Sequence, residues 1–414
     1  MLILGLAVSA AAAEFTVNSG FDQSDLEPGN GLCVAYLVVF PPFALPFCTL
    51  RAAIEEANAL PGPDIINIPS GNYLLDIAGI NEDNGATGDL DITDPLLIRG
   101  KGVASTFIDG NRLDRVFDIP NQATRVTMEH LTITNGTLPS MLPDTHKGGG
   151  AIRNRGNLTL RNTVLAGNQV SGSSSGDGGG AIQNLSTCVL VNSTVRENHA
   201  ASGGGISNGP DGTLTLLAST IYRNTSVTGG GLTNAGTATI LNTTISGNRL
   251  ISGTYPYGGG IYNTAALEIL QSTITGNASQ GPGGGLSNEG TVRITNTIIA
   301  GNAETNCLPS QPIDSLGNNL DDDNSCLLDA PTDIINTDPR LDPLQDHGGP
   351  SLTHGLLIGS PAVDRGRNLA PIGITMDQRG VRRPDGEAYD IGAFETRKRS
   401  IVPLIAPLLR GENK

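Results

Sequence analysis

The central part of the chain carries a repeated pattern of apolar and polar positions. A Gly-Gly-Gly tripeptide begins at each of residues 148, 178, 203, 229, 258 and 283. Each tripeptide is followed by a short stretch that ends in Asn, then by a stretch in which apolar and polar residues alternate. Successive tripeptides start 25 to 30 residues apart. A coil of this length has room for three short strands and their turns but none for a crossover helix. The pattern therefore predicts an all-β solenoid, a right-handed parallel β-helix.

Polar residues recur in three columns when the coils are aligned. The first column is Asn154, Asn184, Asn208, Asn234, Asn263 and Asn288; the second is Asn162, Asn192, Ala218, Asn242, Gln271 and Asn296; the third is Asn168, Asn198, Asn224, Asn248, Asn277 and Asn302. Asn tolerates left-handed backbone geometry, and its amide can hydrogen-bond to its copy in the next coil at a strand spacing of ~4.8 Å. We therefore predict three corners per coil, with ladders of stacked amides rather than ligand contacts.

Alternation within the longer apolar stretch separates inward from outward positions, because successive side chains of a strand point to opposite faces. The predicted inward columns are Leu158, Cys188, Leu214, Ala238, Leu267 and Val292, and Leu160, Leu190, Leu216, Ile240, Ile269 and Ile294. Cys188 is therefore predicted to be a core residue, and a thiol buried among apolar side chains is inert.

One outward column is apolar. It includes Val191, Leu217, Leu241 and Leu270. Adjacent aliphatic side chains that point away from a solenoid core usually mark a surface that something covers. Two explanations stay open: a later segment of the same chain packs there, or the column is a surface for a partner or for self-association.

Insertions between coils all precede a Gly-Gly-Gly tripeptide, as at residues 169–177, 249–257 and 280–282. Variable loops on one edge are where solenoids commonly place recognition. Tyr255 and Tyr257 are the aromatic residues of these loops. They are candidates for stacking on sugar rings, and the alternative is that they are ordinary half-exposed loop residues.

The segments that flank the repeat have their own patterns. A short amphipathic helix is predicted to start at Thr49 and to stop before Pro61, where it would cap the end of the solenoid. Beyond residue 303 the composition shifts to Asp, Pro and Leu. The predicted divisions are a signal peptide (1–13), the N-terminal cap (14–63), irregular early coils (64–147), regular coils (148–303), an irregular C-terminal segment (304–395) and a tail (396–414).

Composition and charge restrict the class of protein. Glycine accounts for 55 of 414 residues, aromatic residues for only 4%, and Trp is absent, so the core must be built from small aliphatic side chains. The net charge of -15 argues against nucleic acid as a partner. The first thirteen residues, MLILGLAVSAAAA, are typical of a signal peptide, with a buried N-terminal strand as the alternative. No other segment approaches the ~20 apolar residues of a membrane-spanning helix, so none is predicted in the mature chain.

The cysteines and a cluster of acidic residues offer candidate sites. Cys33 with Cys48 and Cys307 with Cys326 are predicted to pair in an oxidising compartment, and no spacing typical of a zinc site occurs. Asp321, Asp322 and Asp323 are candidates for binding calcium, although their order matches no EF-hand. The alternative is a solvated acidic loop held by the second disulfide. No other cofactor is predicted.

Two segments resemble known families. Cys48-Thr49-Leu50-Arg51-Ala52-Ala53, with Pro61-Gly62-Pro63-Asp64 and Pro69-Ser70-Gly71-Asn72-Tyr73, resembles the CSLREA domain of bacterial exported β-helix proteins. Ser360-Pro361-Ala362, Asp377-Gln378-Arg379-Gly380, Arg383-Pro384 and Asp390-Ile391-Gly392-Ala393-Phe394-Glu395 resemble the choice-of-anchor Q domain. The resemblance implies a secreted or cell-surface protein of a family that has no single established activity.

Catalysis needs several side chains that converge on one bond. Acidic residues within the regular coils are sparse and fall in different columns: Asp177, Glu197, Asp211, Glu268 and Glu289. The arginines at 379, 382 and 383, with the aspartates at 377, 385 and 390, are predicted to form a structural salt-bridge network. No catalytic residue is therefore assigned.

The predicted function is that of an adhesin-like scaffold, secreted or on the cell surface, which binds a polysaccharide or a surface protein through its flank or loop edge. The alternative is a polysaccharide-active β-helix enzyme, either similar to pectate lyase or a glycoside hydrolase. Fold alone does not decide between them, because parallel β-helices carry both kinds of function. The oligomeric state is not predicted.

Overall fold

The computed structural model describes residues 12–40, 43–80, 82, 84–139, 147–172, 178–251 and 258–397. Three parallel sheets run side by side along the molecule and form a parallel β-helix. Each coil contributes one strand to each sheet in the order sheet 1, sheet 2, sheet 3. This architecture confirms the predicted all-β solenoid.

The strands are only two to five residues long, because the chain turns a corner after each of them. Sheet 1 has nine described strands: Leu90–Asp91, Phe117–Ile119, Ile152–Asn154, Ile182–Asn184, Ile206–Asn208, Leu232–Asn234, Ile261–Asn263, Leu286–Asn288 and Cys307–Pro309. Sheet 2 has eleven: Glu14–Thr16, Asp64–Asn67, Leu96–Arg99, Arg125–Glu129, Asn157–Arg161, Thr187–Val191, Thr213–Leu217, Thr237–Leu241, Ala266–Leu270, Thr291–Thr295 and Ile313–Ser315. Sheet 3 has eleven: Gly71–Leu74, Thr106–Asp109, Thr132–Thr134, Val164–Ala166, Thr194–Arg196, Thr220–Tyr222, Thr244–Ser246, Thr273–Thr275, Ile298–Ala300, Leu320–Asp321 and Ile334–Ile335.

The remaining regular elements are few. Among the described residues there is one α-helix, Leu50–Ala59, and one 3-10 turn, Ala370–Ile372. Three two-stranded pairs lie outside the main sheets: Tyr36–Phe40 with Phe43–Phe47, Thr137–Leu138 with Gln169–Val170, and Thr225–Ser226 with Arg249–Leu250. No described helix is long and apolar enough to span a bilayer.

The predicted inward columns of sheet 2 lie in the core. All twelve side chains of the two columns are buried, and they belong to one continuous apolar cluster that runs through the solenoid. Cys188 is among them, and burial raises the pKa of its thiol to about 12. The thiol is therefore neutral at physiological pH, which agrees with the predicted role of Cys188 in the core.

Two of the three polar columns form amide ladders. In the first column the side-chain amide of Asn184 donates to Asn208 at 2.7 Å, and Asn208 donates to Asn234 at 2.7 Å. The third column has the same arrangement, for example from Asn224 to Asn248 at 2.9 Å. These bonds satisfy buried polar groups in every coil, so the ladders stabilise the coil-to-coil register.

The second column differs from the ladder prediction. Its six members, including Ala218 and Gln271, all adopt left-handed backbone conformations with φ between 47° and 52°. They turn the chain between sheets 2 and 3. What these positions share is the left-handed backbone conformation rather than a ladder of side-chain hydrogen bonds. The side chain of Asn242 donates instead to the carbonyl oxygen of Met376 at 2.9 Å.

The N-terminal helix closes one end of the solenoid. Thr49 caps it, because its hydroxyl accepts a hydrogen bond from the backbone N–H of Ala52 at 3.1 Å, as the sequence predicts. Leu50 and Ile54 of the helix pack into the main apolar cluster. The early coils share the sheets of the regular coils, so the β-helix is continuous from Glu14 to Ile335.

Disulfides lie near both ends of the β-helix. Cys33 is joined to Cys48 with a Cα–Cα distance of 5.2 Å, and Cys307 to Cys326 with a distance of 4.8 Å. Cys188 is the free cysteine of the described chain.

The C-terminal segment folds back over the outside of sheets 2 and 3. Leu369, Ile374 and Tyr389 form a cluster with Leu270 and with the half-buried Leu241. The intramolecular explanation of the apolar column therefore accounts for Leu241 and Leu270. Val191 and Leu217, the other two members of that column, are half-buried.

A buried ion-pair network holds the C-terminal segment together. Arg383 donates to Glu395 at 2.9 Å and to the carbonyl oxygen of Gly392 at 2.7 Å, with both charged side chains fully buried. Arg379 donates to Asp377 at 2.6 Å. The arginines at 379 and 383 thus have structural roles, whereas Arg382 is exposed. Glu395 is the principal acidic partner that the sequence analysis left out.

Candidate functional site

The middle residues of the sheet 1 strands point outward and form a column of their own. In the seven three-residue strands from Phe117–Ile119 to Leu286–Asn288 the two flanking residues are buried, as Ile182 and Asn184 are on either side of Gln183. The strand register stacks Gln183, Ser207, Thr233 and Tyr262 in successive coils. Because side chains alternate along a strand, the middle residue of each of these described strands is the one that faces outward.

The column forms the floor of a groove of about 570 Å³. One wall is the turn that follows the first Asn column, in which Leu185, Gly209, Ala235 and Thr264 stack from coil to coil through backbone hydrogen bonds. The other margin contains Ser202 and Thr228, which are paired by a parallel bridge. The amide ladder lies directly behind the floor, so the groove has a rigid base.

The lining of the groove is polar and, apart from one phenol, non-ionisable. The described lining residues are Gln183, Leu185, Ser202, Ser207, Asn208, Gly209, Pro210, Thr228, Thr233, Ala235, Tyr262 and Thr264. None of these is Asp, Glu, Lys, Arg or His. The groove therefore offers hydroxyl groups, amides and a few apolar surfaces, but no side chain of its described lining is suited to proton transfer near neutral pH.

Two polar side chains on the floor have no hydrogen-bond partner among the described residues. Gln183 and Ser207 are each only 8% exposed, yet the amide of the first and the hydroxyl of the second make no hydrogen bond within that part of the chain. Their neighbours are satisfied internally, since Ser202 donates to Thr233 and Thr233 to the carbonyl oxygen of Thr228, both at 3.1 Å. Nearly buried groups of this kind need a partner, which water or a ligand in the groove can supply.

Both unpartnered groups face the same small space. A Cβ atom placed on Gly178 would lie 2.7 Å from Ser207 Oγ and 3.0 Å from Gln183 Oε1. The absence of a side chain at Gly178 thus keeps the approach to these two oxygens open. The sequence G-G-G-A-I-Q-N already contained this signal, because its middle strand residue is polar between two inward positions.

The predicted sugar-stacking residues Tyr255 and Tyr257 lie outside the described residues. The described chain stops at Ile251 and resumes at Gly258, whose carbonyl oxygen accepts a hydrogen bond from Gly230. Tyr262, which sequence reasoning did not single out, is the aromatic residue of the described groove lining.

A cluster of buried acids lies in sheet 1 beyond the groove. Carboxylate oxygens of Asp89, Asp91 and Asp118 lie within 4.8 Å of one another. Arg115 donates to Asp89 at 2.5 Å, and Arg153 donates to Asp118 at 2.9 Å. Two of the three acids thus already have cationic partners, and we assign the cluster to the fold rather than to a metal.

Asp91 is the exception in that cluster. One of its oxygens accepts from the backbone N–H of Gly85 at 2.7 Å, and the other is buried without a hydrogen-bond partner. Burial, together with the charges of Asp89 and Asp118, raises the pKa of Asp91 to about 8. Asp91 is therefore largely protonated at neutral pH. No periodic pattern indicated this cluster, because its members come together only when the irregular early coils stack.

The calcium candidates Asp321, Asp322 and Asp323 cap the end of the third Asn column. Asn306 donates to Asp321 at 2.8 Å and to Asp322 at 2.6 Å, and its backbone N–H donates to Asp323 at 2.9 Å. Burial raises the pKa of Asp321 to about 6. Burial also acts to raise the pKa of Asp323, but hydrogen bonds from Ser325, Asn306 and Asp321 together lower it. These carboxylates already accept several N–H groups, and calcium binding here stays a prediction.

Comparisons with known proteins give distant structural likenesses. No protein-family model and no curated protein sequence matches the chain. The crystal structure of pectate lyase Pel9A is similar at 13% identity, with 93% of this chain and 97% of that chain covered and a TM-score of 0.46. The A-module of the mannuronan C-5 epimerase AlgE6 from Azotobacter vinelandii is similar at 13% identity, with 66% of this chain and 85% of that chain covered and a TM-score of 0.30.

Proposed function

We propose that this protein is a non-catalytic, glycan-binding scaffold and that the groove on sheet 1 is its binding surface. The observation that carries the proposal is the pair of nearly buried, unpartnered side chains, Gln183 and Ser207, on the floor of a groove whose described lining has no acidic or basic side chain. Sugar hydroxyl groups both donate and accept hydrogen bonds, and an amide and a hydroxyl side chain do the same.

The rest of the lining suits the same ligand class. Tyr262, Leu185 and Pro210 supply apolar surface beside the polar floor. Binding sites for small molecules combine such surfaces with a few well-placed polar groups. A sugar ring has an apolar face and a polar edge, so it matches this arrangement.

The enzyme alternative is less well supported by the same groove. Glycoside hydrolysis requires two carboxyl groups that flank the scissile bond, and lyase chemistry requires a base beside the substrate. The buried acids Asp89 and Asp118 of the sheet 1 cluster are paired with Arg115 and Arg153 and are nearly inaccessible to solvent. The described groove therefore holds a ligand better than it cleaves one.

We also propose that the protein is secreted or displayed on the cell surface. The two disulfides support an oxidising compartment. We retain the right-handed coil, the signal peptide, the six divisions of the chain, and the CSLREA-like and choice-of-anchor Q-like segments as parts of this proposal. A surface protein that binds a glycan without cleaving it would act as an adhesin-like scaffold.

The test is glycan binding by the purified full chain on a panel of immobilised polysaccharides. We expect wild-type protein to bind at least one neutral polysaccharide, and Gly178→Ala to lower that affinity at least tenfold because the added methyl group blocks Gln183 and Ser207. Thr239→Ala is the matched control, since Thr239 lies half-buried on the outer face of sheet 2, away from the groove. Failure to bind any polysaccharide would remove the proposal.

The same preparation tests the alternative. Incubation with pectin and other glycans, with and without calcium, should release neither unsaturated nor new reducing ends. Release of either product by wild-type protein would show that the chain is an enzyme.

A further inference from the structure

We infer that the groove selects uncharged glycans and discriminates against polyuronates, the polysaccharides that carry a carboxylate on every sugar. The inference rests on the proposed glycan-binding function and adds the ligand class. It depends on the uncharged described lining of the groove and on the charges around it.

The floor of the groove is electrically neutral over four consecutive coils. Gln183, Ser207, Thr233 and Tyr262 occupy successive strands, so the floor spans about 14 Å from the first strand to the fourth at the usual strand spacing. A polyuronate bound along this length would place several carboxylates against hydroxyl and amide groups. Binding would remove water from each carboxylate without providing a cation in return.

The column does contain one arginine, but it is already engaged. Arg153 precedes Gln183 in the strand register and donates to both oxygens of Asp118. Its side chain is only 3% exposed, and so is almost inaccessible to a ligand in the groove. Freeing it would leave Asp118 buried without its counter-charge, which costs several kcal/mol.

The rim of the groove carries one charge of each sign along the stacked turns and a further acid beside them. The row that contains Leu185, Gly209, Ala235 and Thr264 begins with the half-buried Arg155 and ends with the exposed Glu289. Asp211 is exposed next to Pro210 of the lining. Along the stacked turns a polyuronate would thus meet a cation at one end only, and acidic groups farther along.

The overall charge of the chain adds to this balance. The whole chain has a net charge of -15, which repels polyanions at a distance when the salt concentration is low. Local and overall charge therefore act in the same direction.

Uncharged sugars meet none of these penalties. Their hydroxyl groups can bond with Gln183 and Ser207, and their apolar faces can pack on Tyr262. Because no ion pair is involved, the affinity should be nearly independent of salt. A salt-independent affinity would distinguish this mode of binding from a general electrostatic attraction.

The experiment measures the dissociation constants of full-length protein for two sets of soluble oligosaccharides of matched length. The uncharged set contains oligomers of cellulose, xylan and mannan, and the acidic set contains oligogalacturonate and oligomannuronate. We expect at least tenfold tighter binding to the best uncharged oligomer, with an affinity that changes less than twofold between low and physiological salt. Equal or tighter binding of an acidic oligomer would overturn the inference and leave the glycan-binding proposal intact, whereas no binding of either set would defeat both.

A positive charge added to the rim provides a second arm at an exposed position. Thr264 is exposed on the wall of the groove, so Thr264→Lys should be tolerated. We expect it to improve binding of the acidic oligomers about threefold, the effect of one favourable surface ion pair. Unchanged discrimination in this variant would contradict the explanation by charge. Lysine introduced at Thr239, on the outer face of sheet 2, is the matched control.

Discussion

The outer faces of the same coils meet different surroundings on the two sides of the solenoid. At the corner between sheets 2 and 3, the outward polar groups are bonded to the C-terminal segment: Gln378 donates to Thr220 at 2.9 Å and accepts from Thr244 at 2.6 Å. In the groove on sheet 1, Gln183 and Ser207 are nearly as buried but have no partner among the described residues. The chain itself closes the first face and leaves the second available to a ligand.

A third case shows what happens to an unpartnered oxygen that neither the chain nor a ligand can reach. Asp91 is sealed inside sheet 1 with one bare oxygen, and its raised pKa, about 8, means that it takes up a proton. The three cases thus differ in what satisfies the polar group: the C-terminal segment at the closed face, a proton at Asp91 and, as we propose, a bound glycan in the groove.

The largest effect is expected from opening the closed face. Arg383→Ala leaves Glu395 buried without its counter-charge and removes the bonds to the carbonyl oxygens of Asp390 and Gly392. We expect a loss of about 3–5 kcal/mol in the free energy of unfolding. Denaturant titration measures the loss, and limited proteolysis should show earlier cleavage in the C-terminal segment. Arg293→Ala is the control, because its pair with Asp314 is exposed. Equal stability of the two variants would contradict the assignment.

The protonated acid should show itself in the pH dependence of stability. The pKa of Asp91 is raised in the folded state, so its contribution is fully present below the unfolded pKa near 4 and is lost as the pH rises through about 8. In wild type this loss of unfolding free energy amounts to up to about 1.4 kcal/mol for each pH unit between these limits, and Asp91→Asn abolishes it. The variant should therefore match wild type near pH 4 and become more stable towards pH 8 in thermal melts. A constant difference across this range would be evidence against a raised pKa, and Asp211→Asn, at an exposed loop residue, serves as control.

A smaller loss is expected from removing the buried amide at the closed face. Gln378→Ala leaves the hydroxyl groups of Thr220 and Thr244 without their amide partner. We expect a loss of about 1–3 kcal/mol in the free energy of unfolding, the cost of leaving buried polar groups unsatisfied. Gln345→Ala, at an exposed residue, should change stability by less than about 0.5 kcal/mol. Equal losses in both variants would mean that the closed face is not held by this amide.

The smallest effect on stability is expected in the groove. Ser207→Ala removes a hydroxyl group that has no hydrogen-bond partner among the described residues, so the free energy of unfolding should change by less than about 0.5 kcal/mol. Calorimetry or denaturant titration checks this. A loss as large as that of Gln378→Ala would show that the hydroxyl of Ser207 has a structural partner after all and would remove the contrast between the two faces.

The regular part of the fold was predictable because its information is periodic. The inward columns of sheet 2, the Asn ladders and the helix cap at Thr49 each follow from a residue type at a fixed spacing. The left-handed corner at Ala218 shows the limit of this reasoning. The alignment of Ala218 with Asn residues correctly indicated a corner, but it also suggested an amide ladder that this column does not form.

The parts that escaped prediction depend on contacts without a fixed period. Gln378 meets Thr220 across 158 positions of the sequence, and no spacing rule gives that contact. Asp91 and Asp118 become neighbours only once the irregular early coils are stacked. The groove was not predicted for another reason. Each coil contributes only one outward side chain to its floor, between the Gly-Gly-Gly tripeptide and the ladder Asn, and one residue per coil forms no alternating pattern.

The most direct test of the account is a crystal structure of the full chain with the best-binding uncharged oligosaccharide. The account predicts sugar density on the outer face of sheet 1, with hydroxyl groups within hydrogen-bond distance of Gln183 and Ser207 and a ring against Tyr262. Density bound anywhere else on the molecule, with the groove filled by solvent alone, would contradict it.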